Sequence, residues 1–200
     1  RGRIGAIVTG SRRPKSRFGG RLGPFFRLNL GLYEGRGDLC TVTGASTING
    51  HPRLRSDGPA LMAAGRGCDA VLRLLNSEEA NPAAYNLLCN YLALLEEQPR
   101  AASASGVALA FRLKLALAAG FSPELASCAR CGEAEHLTSF SGAAGGVVCA
   151  SCEGDGFPFS QDSHRFMVQA MAGPLSEAPA AGNGTIIRIG RESADCASSV

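Results

Sequence analysis

Ile4, Ala6 and Val8 alternate with Gly5, Ile7 and Thr9, a two-residue period that predicts a mostly buried strand. Thr9 to Pro24 is a loop rich in Gly, Arg and Pro. Phe26, Leu28, Leu30 and Leu32 then alternate with Arg27, Asn29, Gly31 and Tyr33, and that alternation predicts a second strand. Glu34-Gly35-Arg36-Gly37 reads as its turn, and Leu39 to Thr43 as the returning strand. Short strands, Gly-rich turns and no early helix predict a small antiparallel barrel.

From Pro59 the period lengthens. Leu61, Ala64, Cys68, Val71, Leu72 and Leu75 recur at helical spacing. Pro82 suits a first helical turn. Ala84, Leu87, Leu88, Tyr91, Leu92 and Leu95 then form the stripe of an amphipathic helix. Val107 to Ala119 is apolar nearly all round, broken by Arg112 and Lys114, as at the centre of a bundle. Gly120 stops that helix and Pro123 prevents its resumption. Ser160 is placed to cap one more helix, with Phe166, Val168 and Met171 on its apolar side. The fold class expected is therefore α+β: a barrel over residues 1–56, a helical domain over 57–172 and a weakly ordered tail over 173–200, with one strand at Thr185–Ile189.

Charge sharpens this division. The 200 residues carry a formal net charge of +3, unevenly spread. Residues 1–56 hold 11 Lys and Arg against Glu34 and Asp38, a balance of +9, and the rest sums to −6. A basic front on a mildly acidic body points to a polyanion-binding module joined to a different one. Five of these charges, Arg12, Arg13, Lys15, Arg17 and Arg21, fall on the loop between the first two strands. Its glycines let backbone approach a phosphate, and Ser11 and Ser16 can donate to one. Phe18, Phe25 and Tyr33 lie near it and can stack on unpaired bases, although each aromatic taken singly is better read as core. Arg112 and Lys114 either snorkel to a rim or face a phosphate-bearing groove.

Cysteine spacing supplies the second chemistry. Cys128-x-x-Cys131-Gly132 is answered after 17 residues by Cys149-x-x-Cys152. Two residues between thiolates let one tight turn aim both sulfurs at a single tetrahedral ion, so the quartet reads as a structural Zn2+ site. Gly132 and Gly145-Gly146 provide the turns. The segment between has too few apolar residues for its own core, which makes a metal the expected staple. Two disulfides, a redox pair and unrelated thiols are the alternatives. His136 lies between the pairs and reads as a solvated loop residue. Cys40, Cys68, Cys89 and Cys196 are scattered singly, as buried thiols are in a reducing compartment.

Catalysis finds no support. The three histidines, His51, His136 and His164, form no recognisable motif, and no nucleophile elbow, P-loop or dinucleotide fingerprint occurs. Four thiolates leave zinc no open position for water. No apolar run of about 18 residues suggests a membrane span, and Arg1-Gly2-Arg3-Ile4-Gly5 lacks a signal-peptide core. The expectation is a cytoplasmic, non-enzymatic protein.

Several segments, in order, resemble the bacterial DNA repair protein RecO family. They are Gly10-Ser11-Arg12-Arg13 with Lys15-Ser16-Arg17, Leu22-Gly23-Pro24-Phe25, and Leu32-Tyr33-Glu34-Gly35-Arg36-Gly37. Phe111-Arg112-Leu113-Lys114-Leu115, Gly120-Phe121-Ser122-Pro123-Glu124-Leu125 and the two cysteine pairs continue the likeness, which covers residues 1–170. The resemblance implies an N-terminal OB-fold, a helical domain and a zinc element. It also implies binding of single- and double-stranded DNA, strand annealing, and help in loading RecA onto DNA coated by single-strand-binding protein, with RecR as partner, in the bacterial nucleoid. It places a first strand before Arg1 and further helix after residue 172, so this chain is expected to be a fragment. A zinc-ribbon RNA-binding or transcription-associated protein and a protein-docking zinc module are the alternatives.

Overall fold

The computed structural model describes residues 2–9, 18, 20–35, 37, 39–75, 79–154 and 156–181. It is α+β and divides into two compact units, Arg1–Ala102 and Ser103–Val200.

The first unit opens with a three-stranded sheet of β1 (Ala6–Ile7), β2 (Arg27–Glu34) and β3 (Cys40–Asn49), in the order β1-β3-β2. β2 and β3 are antiparallel, and β1 runs parallel to β3. β3 is longer than the sequence pattern predicted, because Gly44 to Thr47 and Asn49 continue to pair with β2. The register slips between Gly31 and Leu32, so that Gly31 faces Gly44 but Leu32 faces Val42. Glycine suits the slip: a Cβ on Gly31 would lie 2.9 Å from Oγ1 of Thr43. Among the described residues this sheet is open and closes no barrel. Phe18 and Val42 are buried, in line with core roles, while Tyr33 is exposed.

Helices follow. His51 takes a left-handed backbone (φ 43°) and starts α1 (Pro52–Ser56). Asp57 ends α1 and caps α2 (Gly58–Leu74), accepting from the Ala60 N–H at 3.0 Å. Asn81 caps α3 (Pro82–Glu97) in the same way through Ala84 at 2.9 Å, with Pro82 in the first turn. α4 (Pro99–Ala102) completes the unit. Of the stripe read from its sequence, α3 buries Ala84, Tyr91, Leu92 and Leu95 and leaves Leu87 and Leu88 half-buried. α2 departs from the reading. Its inward face is Ala60, Ala63, Ala64 and Gly67, while Leu61 and Leu72 are 38% and 49% exposed. Small residues let neighbouring helix backbones approach closely, and apolarity alone does not mark which stripe turns inward.

The second unit begins with α5 (Ser105–Ala118), which buries Leu109, Ala110, Phe111 and Leu115. It ends in a Schellman turn: Gly120 has φ +92°, its N–H reaches Leu117 O at 2.9 Å, and the Phe121 N–H reaches Ala116 O at 2.9 Å. A second sheet has the order β5-β4-β6, from β4 (Leu137–Ser141), β5 (Gly146–Cys149) and β6 (Phe157–Pro158). The patterning predicted neither β4 nor β6, since strands this short carry no periodic signal. α6 (Gln161–Ala172) is capped by Ser160, whose Oγ accepts from the Ser163 N–H at 3.1 Å. The following small-residue stretch packs onto the same unit: Leu175 is buried in a 3-10 turn, and the Pro179 carbonyl lies against Gly106. Thr185–Ile189 lies outside the described residues.

Candidate metal centre and basic surface

Backbone pairing builds the cysteine site before any ion is considered. Glu124 bridges to Gly146, with its N–H on Gly145 O at 3.0 Å and its own carbonyl accepting from Val147 at 2.9 Å. A side chain on Gly146 would collide with that backbone. The Ala129 N–H reaches Val147 O at 2.8 Å, which ties the first cysteine turn to β5. The turn itself closes with the Gly132 N–H on Cys128 O at 2.8 Å, and Gly132 adopts φ +79° as its position requires. Cys149 ends β5 and Cys152 ends the 3-10 turn after it. Arg130 spans the two turns, donating from Nη1 to Cys152 O at 3.1 Å.

The result is one thiol cluster. The sulfurs of Cys128, Cys131, Cys149 and Cys152 all lie within 4.8 Å of one another. Cys131 and Cys149 Sγ are 3.7 Å apart, against about 3.8 Å for the edge of a tetrahedron with metal–sulfur bonds of about 2.3 Å. The seven described cysteines are all free, so no disulfide accounts for the pairs. No histidine joins the group among the described residues. His136 is exposed and contributes its carbonyl, which accepts from Ala150 at 3.2 Å. Around the sulfurs the apolar cluster is minimal: Val148 buried with Cys128 and Cys149, and Leu137 and Ala144 at its rim. The four cysteines can hold a metal ion, and a closed set of four soft donors suits a structural one.

Electrostatics agree. Burial raises the Cys128 thiol, but backbone hydrogen bonds from Cys149, Cys131 and Arg130 outweigh it and bring Cys128 down to about 6. Cys152 is pushed up to about 12, chiefly by its hydrogen bonds with Cys131 and Cys149. Without a cation, four crowded sulfurs cannot all ionise; a divalent charge at their centre reverses that.

The basic residues fall into three groups. Arg12, Arg13, Lys15 and Arg17 lie outside the described residues. Arg21 is exposed in the first unit, its N–H on Phe18 O at 3.3 Å. In the second unit Arg112 is exposed on α5, whereas Lys114 is half-buried and donates from Nζ to Met171 O at 3.0 Å. That bond gives Lys114 a structural duty at the C-terminus of α6. Reading the sequence alone missed two further arginines. Arg55 lies over the Phe26 ring, 4.3 Å from its centroid, and Arg27 over Tyr85 at 5.8 Å. No sequence signal announces such pairs, because their partners are 29 and 58 positions away.

The fold and the site define a two-unit α+β protein whose second unit carries a cluster of four thiols able to hold a metal ion. Comparison with known proteins narrows the class. Residues 1–51 match the family Recombination protein O N terminal, and residues 55–189 match Recombination protein O C terminal. The DNA repair protein RecO of Rubrobacter xylanophilus is 34% identical over 189 residues, covering 92% of this chain and 74% of that protein. That of Desulforudis audaxviator is 34% identical over 181 residues, 90% of this chain and 70% of the relative. That of Anaeromyxobacter sp. strain K is 34% identical over 155 residues, and there the match spans 76% of this chain and 60% of the relative's length. The chain belongs to the RecO family.

No helix among the described residues is long and apolar enough to cross a membrane.

Proposed function

We propose that this chain acts in bacterial DNA repair as a cytoplasmic, non-catalytic mediator of homologous recombination that binds single- and double-stranded DNA and anneals complementary strands. Its N-terminal sheet belongs to an OB-fold in this reading. Arg12, Arg13, Lys15, Arg17 and Arg21, with Arg112 on α5, contact phosphates. RecR, single-strand-binding protein and RecA are its partners. Zn2+ is the ion held by Cys128, Cys131, Cys149 and Cys152; it staples the small sheet and takes no part in chemistry. The observation that carries the reading is the family match across both halves of the chain. The +9 balance of residues 1–56 supports it.

Binding to labelled single-stranded DNA over a salt series, with matched RNA as competitor, tests the proposal. Tight binding that falls steeply with salt and resists RNA is expected. If Arg12, Arg13, Lys15 and Arg17 each contact a phosphate, replacing all four by Gln flattens the log–log slope by about 3. An unchanged slope removes the loop from the interface. Preferential displacement by RNA favours an RNA-binding zinc ribbon, and no binding at low salt favours a protein-docking zinc module.

A further inference from the structure

Phe26, just before β2, and Arg27, its first residue, each enter a cation–ring pair with a helical residue distant in sequence. The guanidinium of Arg55, from α1, lies 4.3 Å from the Phe26 centroid, and the guanidinium of Arg27 lies 5.8 Å from that of Tyr85, in the first turn of α3. Both distances fall inside the range of about 6 Å at which a ring attracts a cation. The Tyr85 side chain beside it raises the Arg27 pKa above the ordinary value.

These pairs differ from the ion-paired arginines among the described residues. Arg73 and Arg165 are neutralised by Asp69 and Asp162. Among the described residues Arg27, Arg53 and Arg55 make no ion pair. The acids next to α1 are engaged elsewhere: Glu96 accepts from the Arg53 and Leu54 N–H groups, and Asp57 caps α2. The charge therefore stands open. So does the ring beside it, since Tyr85 is 52% exposed.

We infer that Arg27 and Tyr85 form a seat for single-stranded nucleic acid, with an unpaired base stacking on the exposed tyrosine ring and the guanidinium edge of Arg27 taking an adjoining phosphate. The chemistry selects that ligand. Open positive charge calls for a polyanion, and an exposed ring calls for a flat π-face. A duplex keeps its base faces stacked inside, so only an unpaired strand offers both at once. Holding the guanidinium on the ring fixes its plane beforehand, so less freedom is lost when a phosphate arrives. This seat rests on the DNA-binding reading above and adds to it a preference for unpaired strands.

The chain has no Trp and three Tyr, which makes the test direct. In a Tyr33→Phe background the emitters are Tyr85 and the wholly buried Tyr91. Adding a thymidine oligomer to the zinc-loaded chain is expected to quench tyrosine emission as a base covers Tyr85. In the otherwise unaltered chain, Tyr85→Ala and Arg27→Gln are each expected to weaken binding of that oligomer about 10-fold and binding of a duplex of equal length less than about twofold. The quench needs no substitution at Tyr85, so it decides the matter whether or not Tyr85→Ala folds. Oligomer binding with unchanged emission, or equal losses for oligomer and duplex, overturns the seat and leaves the DNA-binding reading standing. Failure of the unaltered chain to bind either DNA overturns both.

Discussion

The carboxylate of Glu96, near the end of α3, lies across the start of α1 and accepts from the Leu54 N–H at 2.8 Å through one oxygen and from the Arg53 N–H at 3.1 Å through the other. α1 has no cap of its own, because His51 precedes Pro52 in a left-handed conformation and its side chain makes no capping bond. A glutamate more than 40 positions away in sequence supplies what a local Ser or Asp usually would. Leu54, beside the bond, is fully buried. Glu96→Ala is therefore expected to destabilise the first unit by about 1–2 kcal/mol, and Glu96→Gln by less, since an amide keeps one accepting oxygen. Denaturant melts of the three proteins check this. Equal stability of all three would show that water replaces the carboxylate at no cost.

The thiol cluster makes a sharper prediction. With so little apolar burial around Val148, most of the stability of β4, β5 and the cysteine turns is expected to come from the ion. Structural zinc contributes roughly 10–16 kcal/mol of apparent binding energy in small peptides. Chelation should lower the melting temperature sharply, and Cys128→Ser or Cys149→Ser should do the same. Cys40→Ser, outside the cluster, should change it little. Metal analysis is expected to return one Zn2+ per chain. Ligating thiols must lose their protons, and Cys152 holds its proton up to about 12, so uptake releases protons and affinity falls as pH drops. A melting temperature indifferent to chelator would reduce the quartet to free thiols.

These two sites mark what the sequence made legible. The quartet was readable because its ligands sit in two tight turns, and spacing alone carries turn geometry. Pro82 in a first helical turn, the cap at Ser160 and the stop at Gly120 were equally local. Glu96, by contrast, carries no local signal of its role, because its partners come from a segment that no local rule connects to it. The inward face of α2 was misread for a related reason. Leu61 and Leu72 are the more apolar residues, yet close packing selected the alanines. The seat at Arg27 and Tyr85 was hidden twice, by distance along the chain and because a strand arginine beside an alternating leucine row looks like ordinary solvent-facing polarity.

Lys114 separates two roles that its sequence context left open. Its ammonium closes a carbonyl at the C-terminus of α6, where a cation also meets the negative end of the helix. Lys114→Met keeps the stem and removes the charge. It is expected to cost about 1 kcal/mol in stability and to leave affinity for single-stranded DNA unchanged, whereas Arg112→Met should spare stability and weaken DNA. Loss of affinity in Lys114→Met at an unchanged melting temperature would return Lys114 to the interface.

Two glycines in helices of different surroundings give the last prediction. Gly106, in the first turn of α5, has no room for a methyl group, since a Cβ would press into the backbone carbonyl of Pro179 and lie 3.1 Å from the amide nitrogen of Ala181. Gly65, within α2, has nothing within 4 Å of the same position. Helix propensity alone favours alanine over glycine at both by about 0.5–1 kcal/mol. Gly65→Ala should realise that gain. Gly106→Ala should instead destabilise the second unit, because both obstructing groups are backbone and must move together, lifting Pro179 to Ala181 away and loosening buried Leu175 next to them. Thermal melts of the two variants are expected to shift in opposite directions. A stabilising Gly106→Ala would show that the Pro179 segment leaves α5 at negligible cost, and that the second unit ends in substance with α6.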